Sequence, residues 1–168
     1  MWEIITNIIL GIAILTLVAF LGLGLYQWVK RGGIEKVDKE IAWIWLPVVL
    51  MAITYFIFDK FIILATRPNG SGESSWPSTH VMVVATIFFI VTIILPHYIK
   101  DRTTRIVLEV LMVIAISLTW TGRIMANMHS LGDVIAGLVF AFLFSEVYCQ
   151  VIKRSSKNAK RIHKNHQR

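Results

Sequence analysis

Five apolar stretches dominate this chain, at roughly residues 4–29, 41–65, 81–99, 106–121 and 131–152. A helix needs about 20 apolar residues to cross roughly 30 Å of hydrocarbon, so each stretch is a candidate crossing. The third and fourth are the shortest between their polar stops. With 56% hydrophobic residues, 16% charged residues and a mean hydropathy of +0.67, a water-soluble domain of 168 residues is excluded. The expected fold is all-α, a polytopic transmembrane helical bundle of about five spans.

The first stretch follows Glu3 rather than a basic segment and is too long for the core of a signal peptide, so it reads as an uncleaved span. Lys30 and Arg31 follow it and favour a cytoplasmic location for that end. Alternation then puts residues 30–40, residues 97–105 and the tail from Lys153 in the cytoplasm. Of 17 Lys and Arg, these segments hold 4, 3 and 7. Lys60, Arg67 and Arg123 are left on the opposite, extracytoplasmic side, where the positive-inside rule gives no reason for a cation.

The net charge of +7 comes largely from the tail, which has seven basic residues and no acid. Such a segment gains about 1 kcal/mol per charge from anionic lipid. A nucleic-acid partner would require a folded basic face or a stacking surface, and the tail has neither. Cys149 stands alone, so no intramolecular disulfide is possible. No internal repeat or long linker is evident. The chain divides into a membrane-embedded domain at 1–152 and a basic cytoplasmic tail at 153–168.

The three misplaced cations lie among other polar residues. Along the chain come Lys60, Arg67-Pro68, then Pro77-Ser78-Thr79-His80, then Gly122-Arg123, His129 and Asp133. Each group sits at a span end, and the topology puts all of them on one face of the membrane. Two guanidinium forks and an ammonium suit the oxygens of a phosphate. Pro77 to His80 directly precedes an apolar run, so Ser78 or Thr79 is the expected N-cap, and helix N-termini bind phosphate. His129 and Asp133 are four residues apart, a spacing that lets a carboxylate hold an imidazole in one tautomer. His80, beside the cradle, is placed to protonate a leaving oxygen.

These residues resemble the type 2 phosphatidic acid phosphatase superfamily of membrane lipid phosphatases. Nine of its positions match in order: Lys60, Arg67, Pro68, Pro77, Ser78, His80, Arg123, His129 and Asp133. The resemblance implies a metal-independent, cofactor-free hydrolase of lipid phosphomonoesters or diphosphates that works through a phosphohistidine. It implies His129 as nucleophile, Asp133 as its orienter and His80 as general acid. Lys60, Arg67, Ser78, Thr79 and Arg123 would hold the phosphate.

The chain departs from the family pattern in four places. Thr79 replaces a usual Gly, and Gly122 replaces a usual Ser, with the expected loss of one hydroxyl contact. The link from Pro68 to Pro77 is short, implying a small lid. Five spans instead of a common six leave open how the amino-terminal flank is sealed.

Single residues also have plain readings. Lys60 can snorkel at a span end, with Asp59 its ion-pair neighbour, and Glu73 can simply solvate a loop. The six Trp near span ends fit an aromatic belt. The sharpest chemical rival is a metal held by His80, His129 and Asp133, which three nearby cations would oppose. The rival from another class is a lipid-phosphate binding or transport protein without turnover.

Overall fold

The computed structural model describes residues 1–32, 38–62 and 66–166; the side chains of Asp59, Lys60 and residues 156–166 are not described. Six helices follow in order: α1 (Trp2–Arg31), α2 (Lys39–Ala42), α3 (Trp45–Lys60), α4 (Thr79–Tyr98), α5 (Arg102–Met125) and α6 (Leu131–His166). Five segments are long and apolar enough to cross a membrane, with α2 and α3 together forming the second. The expected all-helical membrane bundle is the observed one.

Two spans differ from their sequence outlines. The second is broken at Trp43 and Ile44. Pro47 explains the break, because its ring would clash with the carbonyl of Trp43 in a continuous helix. Restarting at Trp45 puts Pro47 in the first turn of α3, where its missing N–H has no intrahelical partner to lose. The fourth span lengthens from 16 expected residues to 24 in α5, because Arg102 to Arg105 and Gly122 to Met125 are helical as well. Asp101 caps its start by accepting from the Thr104 backbone N–H at 2.7 Å. The backbone of α6 continues helically through the basic tail to His166.

The centre of the bundle is α4, whose run from Val81 to Leu95 is apolar on every side and therefore suits a fully surrounded helix. It packs on α1, α3, α5 and most extensively on α6. Ile9 and Ala13 of α1, Val84 and Phe88 of α4, Ile116 of α5 and Ala141 of α6 meet in the main core. Gly137 lets α6 approach the start of α4 closely: a Cβ there would lie 2.8 Å from the Ser78 carbonyl oxygen. Ile8, Leu15, Val110, Val139 and many other apolar side chains face outward, as the bilayer requires.

Candidate active site

The amino ends of α1, α4 and α6 and the carboxyl ends of α3 and α5 meet at one end of the bundle. Between them lies a cavity of about 410 Å³, lined by Arg67, Thr79, His80, Arg123 and His129 on its polar side. Five residues singled out from sequence therefore share one wall. Ser78 and Asp133 are buried immediately behind it. Lys60 ends α3, but its side chain lies outside the described residues, as does that of Asp59.

Local sequence explains each placement. Asn127, at φ 55°, ends α5 in the left-handed conformation, with Met128 N–H donating to the Arg123 carbonyl at 3.1 Å. That turn delivers His129 to the cavity and buries Arg123. Ser130 then caps α6 reciprocally with Asp133. The Asp133 carboxylate accepts from Ser130 N–H at 2.7 Å, and Ser130 Oγ accepts from Asp133 N–H at 3.3 Å. Asp133 is thus a capping residue as well as a neighbour of His129.

The hydrogen bond that orients His129 comes from elsewhere. Its Nδ1 donates to the Ser75 backbone carbonyl at 2.9 Å, whereas Asp133 Oδ2 is 3.8 Å from that nitrogen. With the proton on Nδ1, the Nε2 lone pair is free. Burial, followed by the Arg123 charge, pushes the His129 imidazole down to about 4, against opposing contributions from the Ser75 carbonyl and Asp133. At neutral pH it is an uncharged base. Ser75 could not be found in the sequence, because its contribution is a carbonyl that any residue carries.

The loop before α4 is a short hairpin-like turn. Thr66 and Ser74 pair, Arg67 N–H donates to the Glu73 carbonyl at 2.9 Å, and Gly70 and Gly72 take positive φ. Glu73 does more than solvate: its carboxylate is 2.5 Å from Arg67 Nη1 and fixes that guanidinium over the cavity. Trp76 is not a free belt residue either, since it stacks edge-on against Phe58 and Phe140 at 4.7 and 5.9 Å. Ser78 N–H donates to the Asp133 carbonyl at 2.9 Å, tying the loop to α6.

Ser78 is the N-cap of α4 by position, yet its hydroxyl makes no capping bond. Ser78 Oγ, Ser75 Oγ, Arg67 Nε and Arg123 Nε are buried without a hydrogen-bond partner among the described residues. Such groups cost about 1–3 kcal/mol each, more when charged, unless something else satisfies them. Thr79 sits in the first helical turn and is not among the positive-φ residues, so the position taken by Gly in the pattern needs no special backbone here. Gly122 does not face the cavity; a Cβ there would lie 2.6 Å from Thr6 Cγ2 on α1. The expected loss of a hydroxyl contact is instead an opening for α1. His80 Nε2 is 3.0 Å from Asn7 Oδ1 on that same helix, a partner absent from the sequence reading. Among the described residues, no three His, Cys, Asp or Glu side chains come together as a metal site.

In comparison with known families, the model of the PAP2 superfamily matches residues 45–157, which is 113 of the 168 residues. Neither a curated protein nor a solved structure gives a significant match. All of α1 lies outside the matched region.

Proposed function

Since the chain belongs to the PAP2 superfamily, we propose that it is an integral membrane phosphatase that hydrolyses a lipid phosphomonoester or diphosphate through a phosphohistidine. The observation that carries this reading is a cavity lined by the Arg67 and Arg123 guanidinium groups and by two histidines, the Nε of each arginine being buried without a hydrogen-bond partner among the described residues. A phosphoryl group is an anion with several acceptor oxygens, and it would satisfy donors of this kind.

The reaction divides into two transfers. His129 Nε2 attacks phosphorus while the bond from phosphorus to the lipid oxygen breaks, and His80 delivers a proton to that oxygen. Water then attacks the phosphohistidine, His80 takes back a proton, the P–N bond breaks and inorganic phosphate leaves. Arg67 and Arg123 would stabilise the charge on the transferring group in both steps. Asp133, 3.8 Å from His129 Nδ1, offsets the positive charge that develops on the ring.

The lower wall of the cavity supports a lipid substrate. It is apolar, formed by Leu10 and Ile14 of α1, Tyr55 and Phe58 of α3 and Val83 of α4. Helices α1 and α3 both flank α4 but hardly pack on each other, which leaves room between them for lipid chains. A headgroup would sit among the cations with its chains in that cleft. The charge partition favours an extracytoplasmic site and a cytoplasmic tail in a cell membrane, with the basic tail against anionic lipid.

Phosphate release by detergent-purified protein from undecaprenyl diphosphate, phosphatidylglycerol phosphate, phosphatidic acid and lipid A phosphate tests the activity and ranks the class. Turnover of at least one is expected, with retention in EDTA and inhibition by vanadate. Binding without release from any of them would favour the transport or binding reading. A reporter within residues 69–75 should be external and one after Arg168 cytoplasmic; the reverse would overturn the sidedness.

A further inference from the structure

We propose that Asn7, on the amino-terminal helix outside the family-matched region, is a positioning residue for His80. This inference rests on the reading of His80 as the general acid. An imidazole that must hand over a proton needs its ring plane and tautomer set, and a rotation that misplaces the proton by about 1 Å can cost on the order of 100-fold in rate. Among the described residues, no hydrogen bond to the His80 ring is observed from α3, α5 or α6. The bond that is observed comes from α1, where Asn7 Oδ1 accepts from His80 Nε2 at 3.0 Å. The side chains are 73 positions apart in the chain.

The contact depends on how closely α1 lies against the bundle. Thr6 is fully buried and sits where a side chain at position 122 would be, its Cγ2 2.6 Å from an added Cβ. Trp2 flanks the same glycine at 3.5 Å. Gly122 therefore sets the depth of α1, and the next residue along the helix, Asn7, reaches His80. Glycine at 122 and the close packing of α1 thus act together on one group of the proposed mechanism. Leu10 and Ile14, one and two turns further along α1, line the same cavity. The amino-terminal helix thus contributes both wall and hydrogen bond to the site.

Asn7 is exposed on the helix surface, so truncating it leaves no core cavity and the fold should tolerate the change. The test measures turnover of phosphatidic acid, whose alkoxide leaves only with a proton, and of p-nitrophenyl phosphate, whose phenolate leaves without one. Asn7→Ala should lower the first by about tenfold or more and the second by less than about threefold. Asn7→Asp keeps an acceptor oxygen and should retain most of the alkyl phosphate activity. Thr6→Ala loosens the turn that seats Asn7, so any loss it causes should show the same leaving-group split in smaller measure.

Equal losses on the two substrates in Asn7→Ala, or no loss on either, would overturn the inference. Should His80→Ala show the leaving-group split while Asn7→Ala does not, Asn7 alone is misassigned. Absence of the split in His80→Ala removes the acid role and the inference with it. Imidazole ¹⁵N spectra give a readout independent of turnover: the His80 Nε2 signal should move in Asn7→Ala, and an unchanged signal means the contact does not exist.

Discussion

The two ends of the bundle handle polar groups in opposite ways. At the end away from the cavity, Asp38 accepts from Gln27 at 2.8 Å, Tyr98 at 3.0 Å and Arg31 at 3.0 Å, while its own N–H donates to Gln27 at 3.0 Å. Nearby, Lys39 donates to the Ser155 carbonyl and the Tyr148 hydroxyl to that of Glu40. Those bonds join α1, α2, α4 and α6. At the cavity end, two guanidinium nitrogens and two serine hydroxyls are buried with no hydrogen-bond partner among the described residues. One end uses its polar groups to hold helices together, and the other, besides the bonds that seat Arg67, His129 and Asp133, keeps four buried polar atoms without a partner among the described residues. The difference is what separates a structural network from a binding site, because a group already satisfied has little to offer a ligand.

The largest expected effect is at His129. His129→Ala removes the only atom proposed to bond phosphorus, so turnover should fall by at least about 10⁴-fold for every substrate, with none of the alkali-stable phosphoenzyme that rapid quench into base should trap in the wild type. Label persisting in that variant would reassign the nucleophile. Next comes Arg123→Lys, which keeps the charge but loses the planar fork. A drop of roughly 10²-fold in kcat/KM is expected, and wild-type turnover would reduce Arg123 to a structural cation.

A paired substitution sharpens the contrast between the ends. Ser78→Ala deletes a hydroxyl that is buried and unpartnered, so thermal stability should hold or rise slightly while activity falls about tenfold. Asp38→Ala should do the reverse, costing on the order of 2 kcal/mol of stability with kcat of the folded protein unchanged. If the Asp38 change reduces kcat, or the Ser78 change destabilises, the division of labour is wrong.

The remaining prediction concerns pH. His129 has a folded-state value of about 4, below the ordinary 6.5, so the folded state binds fewer protons than the unfolded one across that interval. Its contribution to stability is present above 6.5 and is lost as pH falls through 4. The unfolding midpoint should therefore drop over that window, and less so in His129→Ala. Asp38 lies below its usual carboxylate range, as hydrogen bonds from Arg31, Gln27 and Tyr98 outweigh its burial. Its contribution is present above the ordinary carboxylate value and is lost at more acidic pH, so the two ends should loosen in sequence.

Spans and polar motifs could be read directly from residue order. Apolar run length is a local property that the bilayer converts into helices, and the spacing of Arg67, His80, Arg123, His129 and Asp133 put every one of them at a span end. The Trp43 break was also latent in Pro47, since the clash is only four residues long. None of this depends on which helix touches which.

Asn7 and Ser75 depended on tertiary structure alone. Asn7 reads as one polar residue in an apolar helix until Gly122 admits Thr6, and the Ser75 carbonyl is chemically the same as any other. The sequence by itself determined the membrane-spanning helices, the motif residues and their chemistry, because those follow from residue type and short-range spacing. Only the packed bundle decided that Asp133 caps α6 while a backbone carbonyl orients His129, and that α1 reaches His80, because hydrogen-bond partners distant in the chain are chosen by how closely helices approach.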